Sequence, residues 1–219
     1  MAKQSFLTRE AVRDVYDRNA RFYAFAVWFY YLVGMPIGTW RRMVVDALEL
    51  RPGDTVVEVG CGTGLNFNLL QQAVGPNGKI IGIDISKKML ARASALVSNE
   101  GWLNIELSCC SVSDYDFPSG IGGIMATGVL TYEPEFDTVI ERGAKALSSG
   151  RKWSVLDYKM PSGWQRHLAP LFIALGSSFG VSKDLMERHI WEAVERHLTN
   201  VKMQELYGGF VYIVSGEAP

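Results

Sequence analysis

Apolar residues recur along this chain with two periods, and each period predicts a different kind of element. From residue 9 to 21, Val12, Val15, Tyr16 and Asn19, with Tyr23 beyond, stand at helical spacing among Arg9, Arg13, Asp14 and Arg18, which predicts an amphipathic helix. Trp40 to Leu50 resumes a helical pattern, and Arg51 to Asp54 reads as a turn with Pro52 in its favoured place. Short apolar, β-branched runs at 55–59 and 79–84 predict buried strands, and 104–109, 123–127 and 153–157 predict three more. Helical patterns separate them: one behind the glycines near 62, one from Ser86 as N-cap carrying Met89, Leu90 and Leu96, and one from Glu133 to Leu147. Residues 162–198 are helical again, with Trp164, Leu168, Leu171, Phe172 and Leu175 on one side and a kink expected at Pro170. Val201 to Leu206 and Gly209 to Ser215 read as two strands joined tightly at Tyr207 and Gly208.

Strands alternating with helices in this way predict an α/β protein with a doubly wound parallel sheet, whose ligands sit over the carboxyl ends of the strands. The domain expectation is an aromatic helical lid at 1–48 over a main domain at 49–219, with a helical insertion at about 162–198.

The glycines after the first strand carry the most specific chemistry. Gly60, Gly62 and Gly64 stand where positive φ carries no Cβ penalty and the backbone can approach a ligand closely. The helix behind them offers unpaired N–H groups and the positive end of its dipole. A dinucleotide loop needs G-x-G-x-x-G. Here the spacing is E-x-G-x-G-x-G, with Glu58 two residues before the first glycine. A carboxylate at that place would repel a pyrophosphate but suits the cationic amino group of a methionine moiety. Asp84 ends the second strand 20 residues after Gly64, where its two oxygens can accept from both hydroxyls of a ribose.

In this ordered set the chain resembles the class I S-adenosylmethionine (SAM) methyltransferases, over roughly residues 50–160. The resemblance implies a Rossmann-like, seven-stranded, mostly parallel sheet ending in an antiparallel hairpin. It implies SAM as cofactor, S-adenosyl-L-homocysteine as product, and a cofactor set of Glu58, Gly60, Cys61, Gly62, Gly64, Asp84, Ile85, Ser111, Val112 and Thr127. In that family an acid after the third strand usually accepts from the adenine amino group. Aligned on the Asp-Phe-Pro at 116–118, the matching position is Ser111, whose hydroxyl lacks the strength of a carboxylate, with Asp114 as the substitute from another angle. Gly-Ile-Gly-Gly at 120–123 likewise lacks the acid common before the fourth strand.

Phe22 to Trp40 runs 19 residues without a charge, and seven of its first ten are aromatic. A membrane span needs about 20 apolar residues in unbroken helix, and Gly34, Pro36 and Gly38 interrupt this one after Val33. Such a stretch can pack as an aromatic core helix, lie in a membrane interface, or roof an apolar pocket. Tyr-Asp-Arg-Asn-Ala-Arg-Phe-Tyr at 16–23 resembles the quinone and phospholipid methyltransferase group. Phe-Tyr-Tyr-Leu-Val-Gly at 29–34 resembles enzymes that N-methylate lipid head groups.

Composition narrows the partners. At 219 residues and 48 % hydrophobic the chain can bury a full core, and a net charge of −1 without a basic stripe argues against nucleic acid. Three cysteines, two of them adjacent, show no metal spacing and fit a reduced, cytoplasmic compartment, with a peripheral place at a membrane surface as the alternative. No apolar core precedes a cleavage site in the first ten residues, so no signal peptide is expected.

Methyl transfer is an in-line displacement at a sulfonium and chiefly needs alignment and exclusion of water. A general base is needed only for an acceptor that arrives protonated. The candidates for such a role are Tyr23, Tyr31 and His189, the last paired with His197 eight residues on. Tyr16, Tyr23, Trp28, Tyr30, Tyr31 and Tyr207 are candidates to hold an amine or its methylated cation. Lys159, at the end of the fifth strand, is a candidate for an anionic group of the acceptor, with Arg41, Arg42 and Arg166 as others. The reading is N-methylation of a small-molecule or lipid acceptor. C- or O-methylation of a quinone or small aromatic is the alternative enzyme, and a SAM-binding protein without turnover the alternative class.

Overall fold

The computed structural model describes residues 8–19, 34–177 and 180–219. The aromatic stretch, with Tyr23, Trp28, Tyr30 and Tyr31, lies outside the described residues. Two helices precede the sheet, α1 (Arg9–Asn19) and α2 (Ile37–Ala47). Five strands follow: β1 (Thr55–Val59), β2 (Lys79–Asp84), β3 (Ile105–Cys109), β4 (Ile121–Thr127) and β5 (Leu147–Tyr158). Helices α3 (Phe67–Val74), α4 (Lys87–Glu100) and α5 (Phe136–Ala146) make the crossovers around them. After β5 come α6 (Ala169–Gly176), α7 (Lys183–Met186) and α8 (Ile190–His197), then β6 (Thr199–Leu206) and β7 (Val211–Glu217).

The seven strands stand in the order β3-β2-β1-β4-β5-β7-β6. β1 to β5 run parallel, and β7 enters antiparallel between β5 and β6, as the hairpin expectation requires. Strand order reverses between β1 and β4, so the crevice of this doubly wound sheet opens over their carboxyl ends.

Period-two alternation sends side chains to two cores. Val57, Val59, Ile81 and Ile83 pack beneath α5 and α8. Val56 and Ile80 pack with Trp40, Phe67 and Leu70 on the other face. On the first face Gly143 of α5 meets Trp153 of β5 so closely that a Cβ there would lie 1.9 Å from the indole ring, which lets helix and sheet touch over a fully buried tryptophan.

Three elements differ from expectation for local reasons. β4 begins at Ile121 because its glycines are where neighbours crowd in: a Cβ at Gly122 would meet Asp54 at 2.7 Å, and one at Gly123 would meet Leu50 at the same distance. The helix expected from Glu133 begins at Phe136, because Pro134 holds Glu133 extended (φ −85, ψ 117) after a short 3₁₀ turn at Leu130–Tyr132. Pro170 makes no kink. It occupies the first turn of α6, where a missing N–H is harmless. Of the apolar side expected for the insertion, Trp164, Leu168 and Leu171 are exposed and Phe172 stacks on Phe210 at 4.7 Å, while the side chain of Leu175 lies outside the described residues.

Candidate functional site

A cavity with about 790 Å³ of empty space, partly open to solvent, lies over the carboxyl ends of β1, β2, β3 and β4 and under α1. Val59 and Gly60, Ile83 and Asp84, Cys110 and Ser111, and Thr127 and Gly128 supply its walls from the four strand ends.

The glycine loop sets the floor. Gly60, Gly62 and Gly64 all have positive φ (66, 56 and 80). At Gly60 the need is also steric, since a Cβ would lie 2.5 Å from Val129. Gly62 N–H donates to Asp84 Oδ2 at 2.8 Å and Ser86 N–H donates to Asp84 Oδ1 at 2.8 Å, so the carboxylate ties the loop after β1 to the end of β2. Each oxygen keeps a further lone pair for a ligand. Burial raises the Asp84 pKa, against the two backbone donors, and Asp17 of α1 adds to the rise. Ser86 caps α4 by accepting from Met89 N–H at 3.1 Å, as its place in the sequence predicts.

Glu58 shares the face of Val56 and is buried beneath the loop rather than in the cavity wall. Its Oε1 accepts from Asn66 Nδ2 at 2.6 Å, and Arg41 Nε of α2 donates to Asn66 Oδ1 at 2.6 Å. Its Oε2 finds no partner among the described residues. Desolvation pushes the Glu58 carboxyl up to about 8, although Asn66 and the charge of Arg41 oppose the rise and Asp84 adds to it. Cys61 turns its thiol inward beside Gly82, where burial raises its pKa well above the ordinary value. Gly64 likewise packs inward, against Phe67.

The other expected residues divide sharply. Ile85, Val112 and Thr127 line the cavity, and Thr127 Oγ1 also accepts from Asn66 at 3.3 Å. Tyr16 lines it from α1, edge-on to Tyr132 with ring centres 6.0 Å apart. Lys159 does not line it: its Nζ pairs with Glu205 and sits 5.3 Å from the centre of the Trp191 ring. Tyr207 packs edge-on to Trp40 at 5.9 Å and borders a separate hollow with Pro161 and Gln165. His189 is exposed at the start of α8, stacked on Trp191 and 2.7 Å from Glu192. Neither it nor His167 nor His197 is among the described residues that line the cavity.

Sequence reasoning passed over Arg9, Met89, Tyr132 and Glu133, all of which line the cavity. Arg9 Nη2 donates to Glu133 Oε1 at 2.9 Å and also pairs with Glu135, which fastens one end of α1 beyond β4. At the other end Asp17 accepts from Ser86 Oγ at the start of α4. α1 therefore bridges the cavity as a strap. The one available signal was an acid before a proline just past the fourth strand.

Residues 56–150 match a family described as a methyltransferase domain. Over 188 residues the chain is 24 % identical to the demethylmenaquinone methyltransferase of Listeria welshimeri, covering 80 % of this chain and 77 % of that one. It spans 60 % of the length of other Listeria homologues. Among solved structures, phosphoethanolamine N-methyltransferase 2 of Haemonchus contortus in complex with S-adenosyl-L-methionine superposes with a TM-score of 0.74 at 13 % identity, over 95 % of this chain and 60 % of that one. The geranyl diphosphate C-methyltransferase of Streptomyces coelicolor A3(2) superposes at 0.66 and 13 % identity, over 83 % and 79 %. These two likenesses establish the shared fold.

Proposed function

Since the chain carries a class I S-adenosylmethionine-dependent methyltransferase domain, we propose that it transfers the methyl group to an amine of an amphiphilic or lipid head-group acceptor. The residues fit the cofactor. Cβ-free backbone at Gly60 and Gly62 forms the cavity wall, Asp84 keeps lone pairs for two hydroxyls, and Glu58 Oε2 is a buried carboxylate oxygen still lacking a donor. Bound there, SAM supplies a methyl on a sulfonium already activated for in-line displacement. Ile85, Ser111 and Val112 would flank its base, and Thr127 its reactive end.

The observation that carries the amine reading is the company in one cavity of the Glu133 carboxylate with the rings of Tyr16 and Tyr132. Carboxylates accept from the N–H of a neutral amine, and carboxylates and aromatic faces both attract its methylated, cationic product. An amine that reaches the methyl donor unprotonated needs no histidine. The chain's part is then to align the two molecules and, through α1, to exclude water. We read residues 1–48 as the lid over the main domain. The exposed Trp164, Leu168 and Leu171 give the insertion an apolar surface suited to a membrane-borne acceptor.

The likeness to demethylmenaquinone methyltransferases favours a second reading, methylation of a quinone ring. Methyl-labelled SAM, offered with phosphatidylethanolamine vesicles in one reaction and a demethylated quinone in another, separates them. Label on nitrogen is the expected result. Label only on a ring carbon or oxygen would replace the first reading by the second.

A further inference from the structure

Between the ends of β3 and β4 the cavity wall holds a carboxylate with capacity to spare. Glu133 is 6 % exposed and lines the cavity next to Ser111 and Arg9. Its Oε1 accepts from Arg9 Nη2 at 2.9 Å and from Glu135 N–H at 3.0 Å, and its Oε2 accepts from the Ser111 hydroxyl at 3.2 Å. A carboxylate has about four acceptor positions, so one remains on Oε2. Ser111 donates its one O–H to Glu133 and accepts from the Ser113 hydroxyl at 2.9 Å, so it has no donor left to offer. Arg9 and the Glu135 N–H hold the carboxylate in place.

Resting on the methyltransferase reading above, we propose that Glu133 Oε2 binds an N–H donor of the molecule in the cavity, either the 6-amino group of the cofactor's purine or the amine of the acceptor. Ser111 then orients Glu133 and does not itself read the ligand. A ligand that presents an acceptor at this place sets one lone pair against another in a buried site, which costs more than a missing contact. Glu133 is thus a specificity residue, and its contribution is a ratio between ligands.

The test measures that ratio. Binding of S-adenosylhomocysteine and of its 6-oxo analogue S-inosylhomocysteine is compared by calorimetry in the parent protein, Glu133→Gln and Ser111→Ala. Methyl transfer to a primary amine and to its N,N-dimethyl analogue, which has no N–H when neutral, is compared in the same three proteins. If the purine amino group is the donor, the parent prefers the adenosyl compound by about 10- to 100-fold, the range of a hydrogen bond to a charged group. Glu133→Gln then loses that preference while Ser111→Ala keeps it. If the acceptor amine is the donor, the preference for the primary over the N,N-dimethyl amine collapses in Glu133→Gln instead. A merely structural Glu133 would weaken every ligand equally, and a Glu133→Gln protein that keeps both ratios overturns the proposal. Should Glu133→Gln not fold, loss of the preference in Ser111→Ala would overturn it by naming Ser111 as the reader. A parent protein that binds neither nucleoside would remove the methyltransferase reading itself.

Discussion

Glu58 sets the site's need for a carboxylate against the stability of the fold, and Glu58→Gln measures that conflict. The side chain is fully buried with one oxygen unpartnered among the described residues, and desolvation holds its proton until about pH 8, against an ordinary value of 4.5. In the unfolded chain Glu58 ionises near 4.5, so above that pH the native state binds the extra proton and stability falls as pH rises, until the native carboxyl also ionises near 8. One pKa unit corresponds to about 1.4 kcal/mol, which makes the penalty roughly 3 kcal/mol at pH 7 and roughly 5 above pH 8, with nothing lost below 4.5. Glutamine keeps the shape and can accept the Asn66 N–H through its carbonyl, but has no proton to lose. Denaturant unfolding of both proteins from about pH 5 to 8.5 should therefore show Glu58→Gln gaining on the parent as pH rises. Asp157, whose pKa burial also raises, is common to both proteins and cancels in the difference, while the repulsion between Asp84 and an ionised Glu58 belongs to the effect being measured. SAM affinity should move the other way, because glutamine, unlike the Glu58 carboxyl, cannot ionise when the cofactor's ammonium arrives beside the loop. A stability difference independent of pH would refute the reasoning, since the desolvated carboxyl would then not be titrating between the two states.

Two further predictions concern the loop and the strap. Gly60→Ala places a Cβ 2.5 Å from Val129 at φ +66, and left-handed strain plus overpacking should cost about 2 to 5 kcal/mol; thermal unfolding checks it, and adding Val129→Ala should recover only part of the steric cost, because the Val129 Cβ still lies 2.7 Å away. Ser86→Ala removes the N-cap of α4 and the partner of Asp17, and should lower stability by about 1 kcal/mol while loosening α1; faster amide exchange in α1 than in β1 would show the second effect, and an unchanged α1 would count against the strap.

Much of this protein was decided locally. The order of strands and helices, the positive-φ glycines and the Ser86 cap follow from steric rules that act within a few residues, and the structure keeps them all. The departures were local too where proline was concerned, since Pro134 delays α5 and Pro170 opens α6 by the same φ restriction. What tertiary structure alone decided is which side chains face one another across strand ends far apart in sequence. Cys61 and Gly64 sit in the glycine motif yet pack inward, and Lys159 ends β5 yet turns to Glu205 and Trp191. Glu133, which no motif marks, is drawn to the cavity because Ser111, 22 residues earlier, and Arg9, 124 residues earlier, supply the donors that make a buried carboxylate tolerable. Desolvation must be compensated by whatever donors the fold brings near, and a linear pattern of apolar and polar residues does not record that pairing.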